Sequence, residues 1–274
     1  MMKPHLIVCD LDGSLLNKEG NITELSKKVL HQLIDLGHTV VLATGRPYGG
    51  AIDKYNELGL NTPLITDNGG SVDNPKNPAF ARQKTYIPLF IMHELFRFAK
   101  KFIISAFYTE DGVVYAYQYD DRLEDFFSGI NSGIVIDKEM TEFSTPPTGL
   151  IYLIKSEYQR DLEDFIHTHY SDVISFRLWG VSNGEAMYEI YLRHVSKASA
   201  IKYVIECCHL ENHVWMSFGD GVNDVDMIKD ANLGVAMKNA VPELFQVCKD
   251  VTTFTHDEDG IAKYLMDKFE LDIK

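Results

Sequence analysis

The chain of 274 residues is poor in cysteine and tryptophan and carries a deficit of positive charge. Its four cysteines, Cys9, Cys207, Cys208 and Cys248, lack the paired spacing of a zinc site or a disulfide framework, and adjacent Cys207 and Cys208 read as buried helix packing. Lys and Arg number 26 against 40 Asp and Glu, a net charge of −14 that argues against binding the phosphate backbone of DNA or RNA. Any phosphorylated ligand must then be met by a local positive centre, either a few cations or a bound metal. Long apolar runs are also missing. Leu6–Cys9 is too short for a signal peptide or a bilayer span, and no other run approaches that length. The expectation is a protein of the reducing cytoplasm with neither a nucleic-acid nor a membrane partner; the oligomeric state is not readable.

What is present is ordinary globular composition, 45% hydrophobic and 24% charged, with a length that fits two domains or one core with a large insertion. The first third alternates short β-rich runs with helix-period segments. Leu6–Cys9 predicts a buried strand, and Leu25, Val29, Leu33 and Leu36 predict one apolar helix face ending at Gly37. Thr39–Ala43 and Pro63–Thr66 predict the next strands, separated by a helix that opens near Pro47 and closes at Gly59. This β-α-β-α-β order implies a parallel sheet flanked by helices.

Residues 84–192 break that rhythm. They are aromatic and strand-rich, with a hairpin signal at Asp111-Gly112 between Ile103–Tyr108 and Val113–Tyr117. Further strands are predicted at Leu150–Ile154, Val173–Leu178 and Ala186–Leu192, with helices near 88–101 and 157–170. From Ser196 the α/β pattern resumes: helix 196–208, strand Val214–Phe218, helix 222–230, strand Leu233–Ala236 and a helix near 257–269. The expected fold class is α/β, a parallel-sheet core formed by residues 1–83 and 193–274 with an inserted α+β domain at 84–192.

Reactive side chains gather at strand ends. Asp10-Leu11-Asp12-Gly13-Ser14 follows the first strand, where ligands bind in open parallel sheets. Two carboxylates beside a glycine suit phosphoryl transfer through a metal. The second strand runs into Thr44-Gly45-Arg46, offering a hydroxyl, a backbone N–H and a guanidinium. Strand Val214–Phe218 runs into Gly219-Asp220-Gly221-Val222-Asn223-Asp224, and Lys197 opens a helix at an end where a cation opposes the helix dipole unless it faces an anion.

These residues carry a resemblance. The chain resembles the haloacid-dehalogenase-like (HAD) phosphohydrolases, in particular the Cof-type branch with a large C2-type cap. The matching pieces are Asp10–Ser14, Ala43–Arg46, Asn68-Gly69, Ser196-Lys197 and Gly219–Asp224, with Gly234–Ala240 and Asp259-Gly260 also resembling family positions. Ser14 stands where the family usually has Thr, and Ala198 where Gly is usual.

The resemblance implies a Rossmann-like core, a Mg²⁺ cofactor and hydrolysis of small phosphorylated metabolites, such as a sugar phosphate or a phosphorylated cofactor or nucleotide, through an aspartyl-phosphate. It implies Asp10 as nucleophile, Asp12 as general acid and base, and Thr44 and Lys197 as catalytic groups on the phosphoryl oxygens. Gly45, Arg46, Asn68 and Asn223 join Thr44 and Lys197 as phosphate- or substrate-binding positions, and Asp10, Asp12, Asp220 and Asp224 as metal positions. Charge arithmetic also favours a divalent cation: two carboxylates about 4 Å apart repel by roughly 4 kcal/mol at an effective dielectric near 20, more than one lysine can offset across the cluster. An all-oxygen donor set favours Mg²⁺ over Zn²⁺. The insertion is expected to act as a cap that carries substrate specificity.

Other readings are weaker. A phosphomutase of the same superfamily is the nearest alternative, and a non-catalytic phospho-accepting signalling protein the next. Gly219-x-Gly221 invites a dinucleotide reading, but Asp224 occupies the third glycine position. His209 and His213 read as a loop or helix-end surface rather than a metal pair. The aromatics Phe107, Tyr108, Tyr115, Tyr117 and Tyr119 read as one sheet face packed on helices, and Trp179 as core packing ahead of a substrate contact.

Overall fold

The structure, a computed structural model, describes residues 3–120 and 134–273. The first stretch of chain forms β1 (His5–Cys9), α1 (Glu24–Asp35), β2 (Thr39–Ala43), α2 (Tyr48–Glu57), β3 (Leu64–Thr66), β4 (Ser71–Asp73) and β5 (Gln83–Lys84). The middle forms α3 (Leu89–Ala99), β6 (Ile103–Glu110), β7 (Val113–Tyr117), β8 (Val135–Asp137), β9 (Gly149–Lys155), α4 (Gln159–Tyr170), β10 (Ile174–Ser182) and β11 (Glu185–Leu192). The last forms α5 (Lys197–Cys207), β12 (Val214–Gly219), α6 (Val225–Asp230), β13 (Leu233–Ala236), α7 (Pro242–Phe245), β14 (Asp250–Val251) and α8 (Gly260–Phe269). Two compact units result: residues 1–45, 51–82 and 196–274 in one, and 46–50 with 83–195 in the other.

In the first unit the strands run in the order β14-β13-β12-β1-β2-β3-β4. Every pairing from β14 to β3 is parallel, and β4 pairs antiparallel with β3 in a short hairpin that the apolar pattern does not reveal. After His5, central β1 is apolar, with Leu6, Ile7, Val8 and Cys9 all fully buried, as in a parallel strand covered on both faces. The chain leaves β1 toward β2 on one side and returns as β12 on the other. That reversal places the carboxyl end of β1 at a topological switch point, the usual ligand position of such sheets.

Helix α1 starts where Thr23 Oγ1 accepts the Ser26 N–H at 3.1 Å, an N-cap that satisfies a free helix donor. Its buried face is Ser26, Val29, Leu30 and Leu33. The expected stripe was offset: Leu36 lies past the helix end at 60% exposure. The segment 222–230 is likewise not one helix, because a 3₁₀ turn at Val222–Asp224 precedes α6. Cys207 is exposed and Cys208 half-buried at the end of α5, so the two are not the buried pair that was expected.

The second unit is a sheet in the order β10-β11-β9-β6-β7-β8, antiparallel except for β7 with β8. The β6–β7 hairpin closes at Asp111 (φ 47°) and Gly112 (φ 81°), both left-handed as a two-residue type I′ loop requires. Helices α3 and α4 pack Ile91, Met92, Leu95, Phe96, Leu162 and Ile166 onto one face of the sheet, against Tyr108, Tyr152 and Tyr188. The aromatics do not share that face. Alternation sends Tyr108, Tyr115 and Tyr117 to the helices, while Phe107 and Tyr119 pack on the opposite side with Val114 and Ala116. Trp179 is half-exposed on β10, beside the guanidinium of Arg177.

A histidine cluster marks the amino end of β1. The His5 backbone N–H donates to His38 Nδ1 at 3.0 Å, and Phe269 packs edge-on to the His5 ring and tilted against the His38 ring. An accepting Nδ1 requires His38 to be neutral. Burial lowers the pKa of both histidines, with Lys268, His213 and Lys3 adding repulsion at His5, and His5 and His213 at His38. A histidine whose folded pKa is depressed destabilises the fold as pH falls below its unfolded value, about 6.5. We expect the melting temperature to fall between about pH 7 and pH 5, and His38→Asn to flatten that slope; equal slopes in thermal melts contradict it.

Candidate active site

Parallel register brings the reactive residues to one edge of the first unit. Cys9 pairs with Phe218 on β12 and with Leu42 on β2, so Asp10, Thr44 and Asp220 follow the same ends of three adjacent strands. The Asp10 N–H donates to the Phe218 carbonyl at 3.1 Å and the Thr44 N–H to the Ile65 carbonyl at 3.0 Å, extending the sheet ladder into the site.

At the centre lies Lys197. It is the first residue of α5, fully buried, and its Nζ donates to Asp10 Oδ1 and to Asp224 Oδ1, each at 2.6 Å. Ser196 caps the helix by accepting the Ser199 N–H at 3.2 Å. Burial opposes the lysine's charge, but Asp10 and Asp224 outweigh it and hold the amine above its ordinary pKa. Both oxygens of Asp224 are engaged, because Oδ2 accepts the N–H groups of Asp220 and Gly221 at 3.0 Å each. Asp224 therefore orients the lysine and the loop that follows β12. A Cβ on Gly219 would stand 2.6 Å from the Asp224 side chain, so glycine is required for this folding-back.

Asp10, Asp220 and Asp224 present carboxylate oxygens within 4.8 Å of one another, the one group of three or more candidate metal ligands among the described residues. Burial pushes the Asp10 carboxyl up, Asp224 and Asp220 repel it further, and Lys197 opposes them. Burial and Asp224 push Asp220 up to about 6. One ammonium among three half-dry carboxylates leaves excess negative charge, and an all-oxygen donor set suits a hard divalent cation.

Asp12 sits apart from that trio as an exposed residue of a type II turn, with Asp12 at φ −76°, ψ 126° and Gly13 at φ 71°, ψ 1°. A Cβ on Gly13 would fall 2.2 Å from Asp220 Oδ2, so both its left-handed φ and its closeness to Asp220 demand glycine. Thr44 is fully buried, and its carbonyl accepts the Asn68 N–H at 3.1 Å. Asn68, itself left-handed at φ 53°, accepts from Asn223 Nδ2 at 2.9 Å and lies against Gly45. Arg46 is different: it groups with the second unit, and its guanidinium donates to the Gly50 carbonyl at 3.1 Å. Two contacts had no forecast in the sequence: Ser14 Oγ donates to Asp220 Oδ1 at 3.3 Å, and Asn239 Nδ2 donates to the Gly13 carbonyl at 2.8 Å. His209 turns left-handed just after α5, and neither it nor His213 belongs to the carboxylate group.

Residues 7–265 match the family of haloacid dehalogenase-like hydrolases. The chain belongs to that family, in its Cof-type phosphatase branch. It is 28% identical over 271 residues to the 5-amino-6-(5-phospho-D-ribitylamino)uracil phosphatase YitU of Bacillus subtilis, covering 98% of this chain and 99% of that one. It is 26% identical over 267 residues to the HMP-PP phosphatase of Yersinia pseudotuberculosis, covering 95% and 94%. A haloacid dehalogenase-like hydrolase from Bacteroides thetaiotaomicron shares the fold at TM-score 0.80 and 22% identity, covering 97% of this chain and all of that one. Among the described residues no helix is long and apolar enough to cross a membrane.

The excess charge has a measurable consequence. A carboxylate whose folded pKa is raised favours folding while protonated, and that contribution is lost as pH rises through about 6 for Asp220. In chelator at about pH 8, we expect Asp220→Asn to gain on the order of 2 kcal/mol, roughly 4–8 °C in melting temperature, and to lose stabilisation by added Mg²⁺. A variant that melts lower than wild type under those conditions contradicts the charge-repulsion account.

Proposed function

We propose that this chain hydrolyses small phosphorylated metabolites, with Asp10 as nucleophile and Mg²⁺ as cofactor. The observation that carries the reading is the buried Lys197 ammonium shared by Asp10 and Asp224, with Asp220 alongside, at the switch point of the sheet.

In this mechanism an oxygen of Asp10 attacks phosphorus, and the bond from phosphorus to the ester oxygen breaks. Asp12 gives its proton to the leaving alkoxide, then takes one from the water that attacks the aspartyl-phosphate. Phosphorus–water bond formation breaks the bond to Asp10, releasing phosphate and restoring both carboxyl groups. Lys197, the Thr44 hydroxyl and the Gly45 N–H bind the phosphoryl oxygens, where charge builds in the transition state. Asn68 and Asn223, bonded to each other, hold the neighbouring loops to that geometry. Arg46 serves substrate binding.

The carboxylates of Asp10 and Asp220 and the main-chain carbonyl of Asp12 would hold Mg²⁺, and Asp224 contributes by fixing Lys197 and the Asp220 loop. When bound, the cation supplies charge neutralisation for the carboxylates and the phosphate dianion. The second unit, residues 46–50 with 83–195, carries substrate selection. The printed activities of the relatives, on a phosphorylated ribitylaminouracil and on HMP-PP, support small phosphorylated metabolites as the substrate class. Four free cysteines support a cytoplasmic site of action.

The test is phosphate release from a panel of sugar phosphates, nucleotides and phosphorylated cofactors. Asp10→Asn is expected to abolish release, and excess chelator to do so reversibly on addition of Mg²⁺. Asp12→Asn is expected to lose about 10²–10⁴-fold on alkyl esters. Full turnover in chelator, or in Asp10→Asn, refutes the mechanism. Accumulation of an isomerised ester in place of free phosphate makes the enzyme a mutase.

A further inference from the structure

We propose that Asn239 is a positioning residue for Asp12, holding the turn on which the acid–base carboxylate stands; the inference rests on the role given to Asp12 above. Asp12 is exposed, so burial does not fix its side chain. The backbone of the turn sets where that carboxylate stands, and the next residue is Gly13, the residue type with the widest conformational freedom. A turn ending in an unanchored glycine would let the Asp12 carboxylate swing away from the leaving group.

Two contacts restrict that freedom. The Ser14 hydroxyl donates to Asp220 Oδ1 at 3.3 Å, and the Asn239 amide donates to the Gly13 carbonyl at 2.8 Å. The other end of the Asn239 side chain, Oδ1, accepts the His256 N–H at 3.0 Å. The Gly13 carbonyl can only accept and the His256 N–H can only donate, so the orientation of the amide is determined by its partners.

Asn239 is itself held to the site by backbone bonds. Its loop follows β13, and the Met237 N–H donates to the Gly219 carbonyl at 2.9 Å while the Val241 N–H donates to the Asp220 carbonyl at 2.8 Å. Asn239 thus transmits the position of the Asp220 loop to the Asp12 turn without touching a reacting atom. Farther along, Lys18 pairs with Asp257 at 3.2 Å and the Thr23 hydroxyl bonds Asp259, so the segment that supplies His256 is tied to the chain after the turn as well.

A residue that only stabilises the fold lowers activity on every substrate alike. A residue that positions the acid matters for leaving groups that need a proton. Asn239→Asp keeps the size and the acceptor for His256 but removes the donor to Gly13, and Asn239→Ala removes both without adding charge. For each variant, kcat/KM, which reports leaving-group departure, is compared on the fastest alkyl phosphate of the panel and on p-nitrophenyl phosphate, whose phenolate leaves without a proton. We expect a loss of about 10–100-fold on the alkyl ester and less than about 3-fold on the aryl ester, part of the 10²–10⁴-fold that acid catalysis supplies. Asp12→Asn, run alongside, is expected to show the same selectivity with a larger loss. Selectivity in Asp12→Asn without it in either Asn239 variant overturns the role of Asn239 alone. Absence of selectivity in Asp12→Asn overturns the acid–base assignment, and this inference with it.

Discussion

A buried lysine ammonium held between two buried carboxylates is the interaction on which the first unit is arranged. Lys197 contacts Asp10 and Asp224 at 2.6 Å with none of its surface exposed. Burying such charges costs several kcal/mol per ion, and mutual attraction offsets that only when the geometry is good and remaining lone pairs are satisfied. Here they largely are, because Asp224 also accepts two backbone N–H groups. The arrangement requires that the first strand, the loop after β12 and the start of α5 meet at one point. Three distant stretches of chain are thereby set in register by a single cation.

The same centre is held away from its own electrostatic optimum. Asp220, pushed up to about 6, and Asp10, pushed up by burial and by its neighbours, show that one lysine does not balance the carboxylates. Proteins retain such strain at functional sites and compensate for it elsewhere. In the first unit the compensation is a sheet whose central strands are buried on both faces, with Leu6, Val8, Val41, Ala43, Ile65 and Ala236 in one apolar cluster. The second unit has its own core, built from α3 and α4 on one face of an antiparallel sheet. Each unit thus has an apolar core of its own.

Close approach is the second theme of the site. Gly13 lies against Asp220 and Gly219 against Asp224, in each case nearer than any side chain could tolerate. These glycines let backbone and carboxylates converge within a few ångströms. Their freedom has to be removed again by side-chain contacts, which is the physical role of Ser14, Asn223 and Asn239 around the loops.

The local sequence determined the elements whose pattern is local. Uniformly apolar strands between glycine-closed helices were legible for β1, β2 and β13, and Asp111-Gly112 identified its hairpin, because such periods and turn residues arise within a few positions. The meeting of Asp10, Lys197, Asp220 and Asp224 at one sheet edge was legible as well, since each stands at the end of a strand, at the start of a helix or in the loop between them. What the sequence did not hold was which face of α1 is buried, the break before α6, the antiparallel strand β4, and the division of the aromatics between two sheet faces. Each is decided by what packs opposite, which is information from remote parts of the chain. The roles of Asn239 and Ser14 belong to the same category. Asn239 is 226 residues from Gly13 along the chain, and only the folding of β12 and β13 beside β1 turns an ordinary loop asparagine into the anchor of a turn.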